Sequence, residues 1–122
     1  MKRFTTFAWI LAIAMVFVAV APAADVEGIL IDKMCSGKMA KMGDGAQQAA
    51  AEHTRDCARM PPCEGSGYGV FTASNEFITF DAAGNEKAVA ALKATAKKDN
   101  LKVRVSGKRT GDKIEVSALK LL

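Results

Sequence analysis

The chain is short of the residues from which most chemistries start. It holds one histidine and three cysteines, and no two cysteines stand in the C-x-x-C spacing of a dithiol redox centre. No glycine-rich phosphate loop opens a helix after a strand. Gly65, Gly67 and Gly69 trail a cysteine loop instead, which argues against a Walker-type nucleotide site. Internal repeats and low-complexity segments are lacking beyond the N-terminal apolar stretch. The apolar run Phe7–Val20 has 14 residues, short of the ~20 that a spanning helix needs. The residue directly after Ala23 is Ala24 and not a cysteine, which argues against a bacterial lipoprotein anchor.

What is present sets an address first. "MKR" supplies a positive start, "FAWILAIAMVFVAV" an apolar stretch, and "APA" (Ala21–Ala23) small residues at the −3 and −1 positions. This three-part layout is that of a secretory signal peptide on residues 1–23, cleaved between Ala23 and Ala24. The expected mature protein, residues 24–122, is periplasmic or secreted, with no stable membrane span. At 99 residues it suits a single domain with a modest core. Removing Lys2 and Arg3 lowers the formal charge from +4 to +2. That surplus is too small to argue for nucleic acid or an anionic membrane as partner. An odd number of cysteines in an exported chain leaves at least one thiol outside any intramolecular disulfide.

Hydrophobic patterning gives the organisation. "VEGILIDK" (Val26–Lys33) reads as a first strand. A loop rich in Gly, Lys and Met follows, and then "DGAQQAAAEHTRDCARM" reads as one helix, with Asp44 as its N-cap and Pro61 as its stop. Helical spacing places Ala46, Ala50, His53, Cys57 and Met60 on one face, so His53 and Cys57 are one turn apart. "YGVFTA" and "EFITF" flank Ser74-Asn75 as a hairpin. "NEKAVAALKATAKK" is a second helix, with Asn85 as candidate cap and Ala88, Ala91, Leu92 and Thr95 facing inward. In the last two strands, alternation turns Leu101, Val103 and Val105, then Ile114, Val116 and Ala118, toward the core, with Gly111-Asp112 as the turn. Five short strands with a helix between the third and fourth make a mainly β, five-stranded OB-like barrel with two helices. A Cys/His-bearing insertion, residues 34–64, lies between strands one and two and caps the barrel. A small α+β sheet with a docked helix is the structural alternative.

"GILIDKMC" at the start of the mature chain and "VSGKRTGDKIEVSALKL" at its end resemble small exported bacterial proteins of unassigned function with an OB-fold-like domain. The resemblance covers most of the mature chain; Met34-Cys35 and the terminal hairpin are its specific parts. It implies a fold and a compartment but no activity. Relatives carry C-x-x-x-C where this chain has His53-x-x-x-Cys57. A metal site accepts that exchange, whereas a disulfide does not.

Four residues carry the candidate chemistry: Cys35, His53, Cys57 and Cys63. Three thiols and an imidazole suit a soft or borderline ion, Cu(I) or Zn(II). Met34, Met39, Met42 and Met60 lie nearby in sequence, either as thioether ligands for Cu(I) or as flexible gap-fillers. The alternative is a disulfide between Cys35 and Cys63 at the neck of the insertion. It would close a loop of about 29 residues and contribute roughly 3–4 kcal/mol in the chain-entropy model. A Cys57–Cys63 link across Pro61-Pro62 is a further option. An enzyme is not expected: Cys57 and His53 are the only nucleophile–base pair, with no third group to orient them. Lys102, Arg104, Lys108 and Arg109 with Tyr68, Phe71, Phe77 and Phe80 could line a nucleic-acid face. A solvated edge strand over a packed core accounts for them better. The resulting expectation is an exported binding or stress-related protein holding a metal ion or small ligand. Its alternative is a disulfide-stapled module for a small molecule, peptide or partner protein.

Overall fold

A computed structural model of the chain describes residues 23–122, so the signal-peptide expectation falls almost wholly outside the described residues. The described residues contain five strands: β1 (Ala24–Asp32), β2 (Tyr68–Phe71), β3 (Phe77–Phe80), β4 (Lys102–Thr110) and β5 (Lys113–Leu121). They close into a ring in the order β1-β2-β3-β5-β4. All neighbours are antiparallel except β3 and β5, which run parallel through Thr79–Lys113 and Phe80–Ile114. Instead of the two helices expected, the described residues contain five: α1 (Lys33–Met39), α2 (Ala46–Glu52), α3 (Arg55–Ala58), α4 (Pro61–Ser66) and α5 (Ala82–Ala94). The protein is α+β, with a five-stranded mixed sheet ring. None of these helices is long and apolar enough to cross a membrane.

The consecutive apolar residues of β1 serve two cores. Leu30 points into the ring with Val70, Ile78, Val103, Val105, Ile114 and Val116. Ile29 and Ile31 point outward and pack with Met39, Ala46, Ala50 and Phe71. Strand alternation thus buries β1 on both faces. The insertion packs α1 and α2 along the outer face of β1, while Ala58 of α3 joins the inner cluster. It is more than the expected cap.

Three local expectations are corrected. The helix drawn over residues 44–60 is broken: a 3-10 turn, Gly43–Gly45, precedes α2, and extended backbone at His53 and Thr54 separates α2 from α3. Pro61-Pro62 does not simply stop a helix. It opens α4, where the first turn has no partner for the missing N–H groups. Helix α5 is capped by Asp81, whose side chain accepts the Gly84 N–H at 2.9 Å, rather than by Asn85. The Asn85 side chain instead accepts the Tyr68 N–H at 2.9 Å and ties α5 to β2.

The last strand departs from strict alternation. Ser106 faces Ala118 and Gly107 faces Val116, so Ser117 is the extra residue of a bulge. Beyond it the faces exchange. Ala118 is exposed, and Leu119 and Leu121 pack against the core.

Candidate metal centre

The centre is built where β1 meets α1. Asp32 is the last residue of the strand and the N-cap of the helix, with extended backbone at φ −72° and ψ 150°. One carboxylate oxygen, Oδ2, accepts the Cys35 N–H at 2.9 Å, the third-residue bond a capping aspartate makes. The other, Oδ1, lies 2.8 Å from His53 Nε2. Asp32 is fully buried and His53 only 8% exposed. Sequence reasoning passed over Asp32, although a short acidic side chain between a strand and a helix is an N-cap signal.

His53 and Cys57 reach the same place by a different route from the one expected. His53 is the C-cap of α2, with ψ near 124°. Thr54 then caps α3 by accepting the Cys57 N–H at 3.1 Å. A threonine hydroxyl competes for backbone donors and so favours a new helix start over continuation of the old one. Arg55 N–H, donating to the Lys98 carbonyl at 2.8 Å, anchors the first residue of α3. The break turns the imidazole inward toward Asp32 and leaves Cys57 in the first turn of the next helix.

Cys63 comes from α4, the far neck of the insertion, and is buried. Ser66 ties that neck to α1: its Oγ accepts the Met34 N–H at 3.2 Å and donates to the Cys63 carbonyl at 2.6 Å. Lys33 N–H donates to the Gly67 carbonyl at 2.8 Å. Below them Tyr68, paired with Asp32 across β1 and β2, donates its hydroxyl to the Ala58 carbonyl at 2.7 Å and fixes α3 to the sheet.

Cys35, His53, Cys57 and Cys63 are gathered closely enough to hold a metal ion, as two overlapping triads. Donor atoms of Cys35, His53 and Cys57 all lie within 4.8 Å of one another, and so do those of Asp32, Cys35 and Cys63. Cys35 belongs to both. Donors on one tetrahedral zinc lie about 3.5–3.8 Å apart, given bonds near ~2.0 Å to nitrogen and ~2.3 Å to sulfur. All three cysteines are free thiols, so neither of the alternative disulfides is formed.

The charges of the site follow from its burial. Burial opposes ionisation of Asp32, but the hydrogen bonds from His53 and the Cys35 N–H outweigh it and hold its carboxyl below the ordinary 3.8. Burial, and then the negative charge of Asp32, push the Cys35 thiol up to about 12. The same two causes raise Cys63. These thiols rest protonated, and a metal ion must displace the protons to bind them.

The other candidate residues divide by burial. Met39 is a core residue beside Ile29 and Ile31, whereas Met34, Met42 and Met60 are exposed. Tyr68, Phe71 and Phe80 are buried and Phe77 is half-buried against the outer core, so these rings are engaged in packing. Arg104 pairs with Glu27 at 2.6 Å and Arg109 pairs with Glu76. The expected lack of an orienting group for His53 is corrected, since Asp32 fills that position. Compared with protein families, curated proteins and solved structures, the chain has no match.

Proposed function

We propose that the mature chain is an exported, OB-like single-domain protein that binds Cu(I) or Zn(II) through Cys35, His53, Cys57 and Cys63. It serves as a binding or stress-related module rather than as an enzyme. The observation that carries this reading is the convergence of Cys35, His53 and Cys57 from three separate positions in the insertion to within 4.8 Å. Two thiols and an imidazole form a donor set for soft and borderline ions, and the Cys63 thiol stands beside Cys35 to complete four ligands. The OB-like reading is supported by the strand ring and by α5 between the third and fourth strands. The signal-like N-terminus and the resemblance to small exported bacterial proteins support export.

Titration of the reduced mature protein with Zn(II) and Cu(I), against competing chelators, tests the proposal. One ion bound per chain more tightly than micromolar is expected, and no such binding for either ion overturns it.

The nearness of Cys35 and Cys63, with Asp32, within 4.8 Å favours one second reading. Oxidation there would staple the neck of the insertion and leave a module for a small molecule, peptide or partner protein. Intact mass of the natively exported protein, with and without alkylation, separates the two: metal retained on three thiols, or one disulfide and a single free thiol.

A further inference from the structure

We propose that Asp32 is a positioning residue of this centre, holding His53 as its Nε2–H tautomer so that Nδ1 is the nitrogen left with a lone pair for a metal ion. The inference builds on the metal-binding reading but has content of its own, because the tautomer exists without any metal.

The argument starts from hydrogen-bond inventory. An ionised carboxylate can only accept, so the nitrogen 2.8 Å from Asp32 Oδ1 must carry the proton. In a neutral imidazole the other nitrogen then keeps its lone pair. With Nε2 committed to Asp32, the free lone pair belongs to Nδ1. The ring cannot easily escape this choice, because both partners are buried and Asp32 is fixed twice over. Its backbone pairs with Tyr68 in the ring of strands. Its second oxygen accepts the Cys35 N–H. One carboxylate therefore orders two of the four candidate ligands, the imidazole of His53 directly and the helix start that carries Cys35. A carboxylate behind a ligating histidine has this role in metal sites generally, where it fixes ring orientation and raises ligand basicity.

Asparagine cannot substitute. Its amide offers one acceptor and one donor group, while this position faces two donors, the Cys35 N–H and the His53 Nε2–H. An Asp32→Asn side chain either loses the cap or points its NH₂ at the ring. The second arrangement drives the proton to Nδ1 and leaves the lone pair on Nε2 instead.

His53 is the only histidine in the chain, so its ring nitrogens can be observed without assignment. The experiment is nitrogen–proton correlation spectroscopy of the reduced, metal-free mature protein, at a pH where the ring is neutral. It is followed by addition of zinc, and of cadmium as an NMR-active probe of the ligating nitrogen. The expected spectrum shows a protonated Nε2 and an unprotonated Nδ1, with the metal-induced shift and the coupling at Nδ1. The Asp32→Asn variant is expected to show the opposite or a mixed tautomer and to bind zinc about 10–100-fold more weakly. An Nδ1–H tautomer in the unsubstituted protein, or metal coupling at Nε2, overturns the proposal even if Asp32→Asn does not fold. The expected tautomer with no metal bound supports the proposal and sinks the metal-binding reading instead.

Discussion

The imidazole of His53 meets the carboxylate of Asp32 at 2.8 Å across 21 residues of sequence, and this contact joins the end of the first strand to the middle of the insertion. Everything proposed for the centre depends on it, because it brings the strand-end helix carrying Cys35 to the helix break that precedes Cys57.

The first prediction separates the ligands. Cys57→Ser removes a thiolate needed by either metal, so binding at micromolar concentration should disappear for both ions. Cys63→Ser should weaken zinc more than Cu(I). Zinc favours four ligands, and Cu(I) is satisfied by the two or three that Cys35, His53 and Cys57 supply. Equal losses of both ions in Cys63→Ser would show that one tetrahedral site serves both.

Proton release should accompany metal loading. Cys35 is pushed up to about 12 by burial and then by Asp32, and Cys63 is raised by the same causes. Both thiols are therefore neutral before binding and lose protons on binding. Affinity should rise with pH, about tenfold per unit for each proton released. Calorimetry of zinc binding in buffers of different ionisation enthalpy counts these protons, and a count of zero would exclude thiolate ligation.

Thr54 should matter to the centre without touching a metal. Its hydroxyl accepts the Cys57 N–H at 3.1 Å, and removing a cap of this kind costs about 1 kcal/mol. In Thr54→Ala the short α3 should loosen and zinc affinity should fall, while Thr54→Ser should restore both. If Thr54→Ala binds zinc like the unsubstituted protein, the cap does not set the position of Cys57.

Tyr68, the only tyrosine, gives an optical handle on stability in alkali. Burial, then the charges of Glu64 and Asp32, push its phenol from the ordinary 10.0 up to about 12. The neutral phenol is favoured in the fold, so its contribution is complete below pH 10 and is lost as pH rises toward the folded value. Tyrosinate absorbance should therefore appear late and together with unfolding. Tyr68→Phe should be less stable at neutral pH by about 1–3 kcal/mol, because the Ala58 carbonyl loses its buried donor. It should also lose part of the alkaline dependence, and urea denaturation at two pH values measures both.

Gly107 sits at the bulge between β4 and β5, where a Cβ would run into the carbonyl oxygen of Glu115. Backbone on both sides leaves nothing flexible to move aside. Gly107→Ala should cost about 2–3 kcal/mol, read as a lower denaturation midpoint. An unchanged midpoint would mean that the bulge is adjustable.

Much of the strand framework was legible because strand periodicity is local. Val103, Val105, Ile114 and Val116 alternate with charged residues, and they are core residues in the folded chain. The error at Ala118 has a local cause with a non-local trigger. The bulge at Ser117 is visible only once β4 and β5 are aligned, and it exchanges the faces after it. The helices were read less well. Alanine-rich composition carried one helix through His53 and Thr54, whereas the threonine cap and the contact with Asp32 favour a break there. The candidate ligands were legible as residue types and as neighbours in sequence, but Asp32 was not. Its N-cap role could be read locally, but its contact with His53 exists only in the folded chain.

Sequence alone determined the local quantities: strand alternation, an N-terminal segment of signal-like layout, and a chain with three thiols and one imidazole. These follow from residue types and short spacings. The tertiary structure decided which oxygen, nitrogen and sulfur atoms stand together. Asp32 selects the nitrogen of His53 that keeps its lone pair through a hydrogen bond spanning 21 positions, and Cys35 is shared between two triads. The physical reason is range. Propensity and periodicity act over a few residues, whereas the low-dielectric contact that orders an imidazole exists only after the insertion has packed on β1.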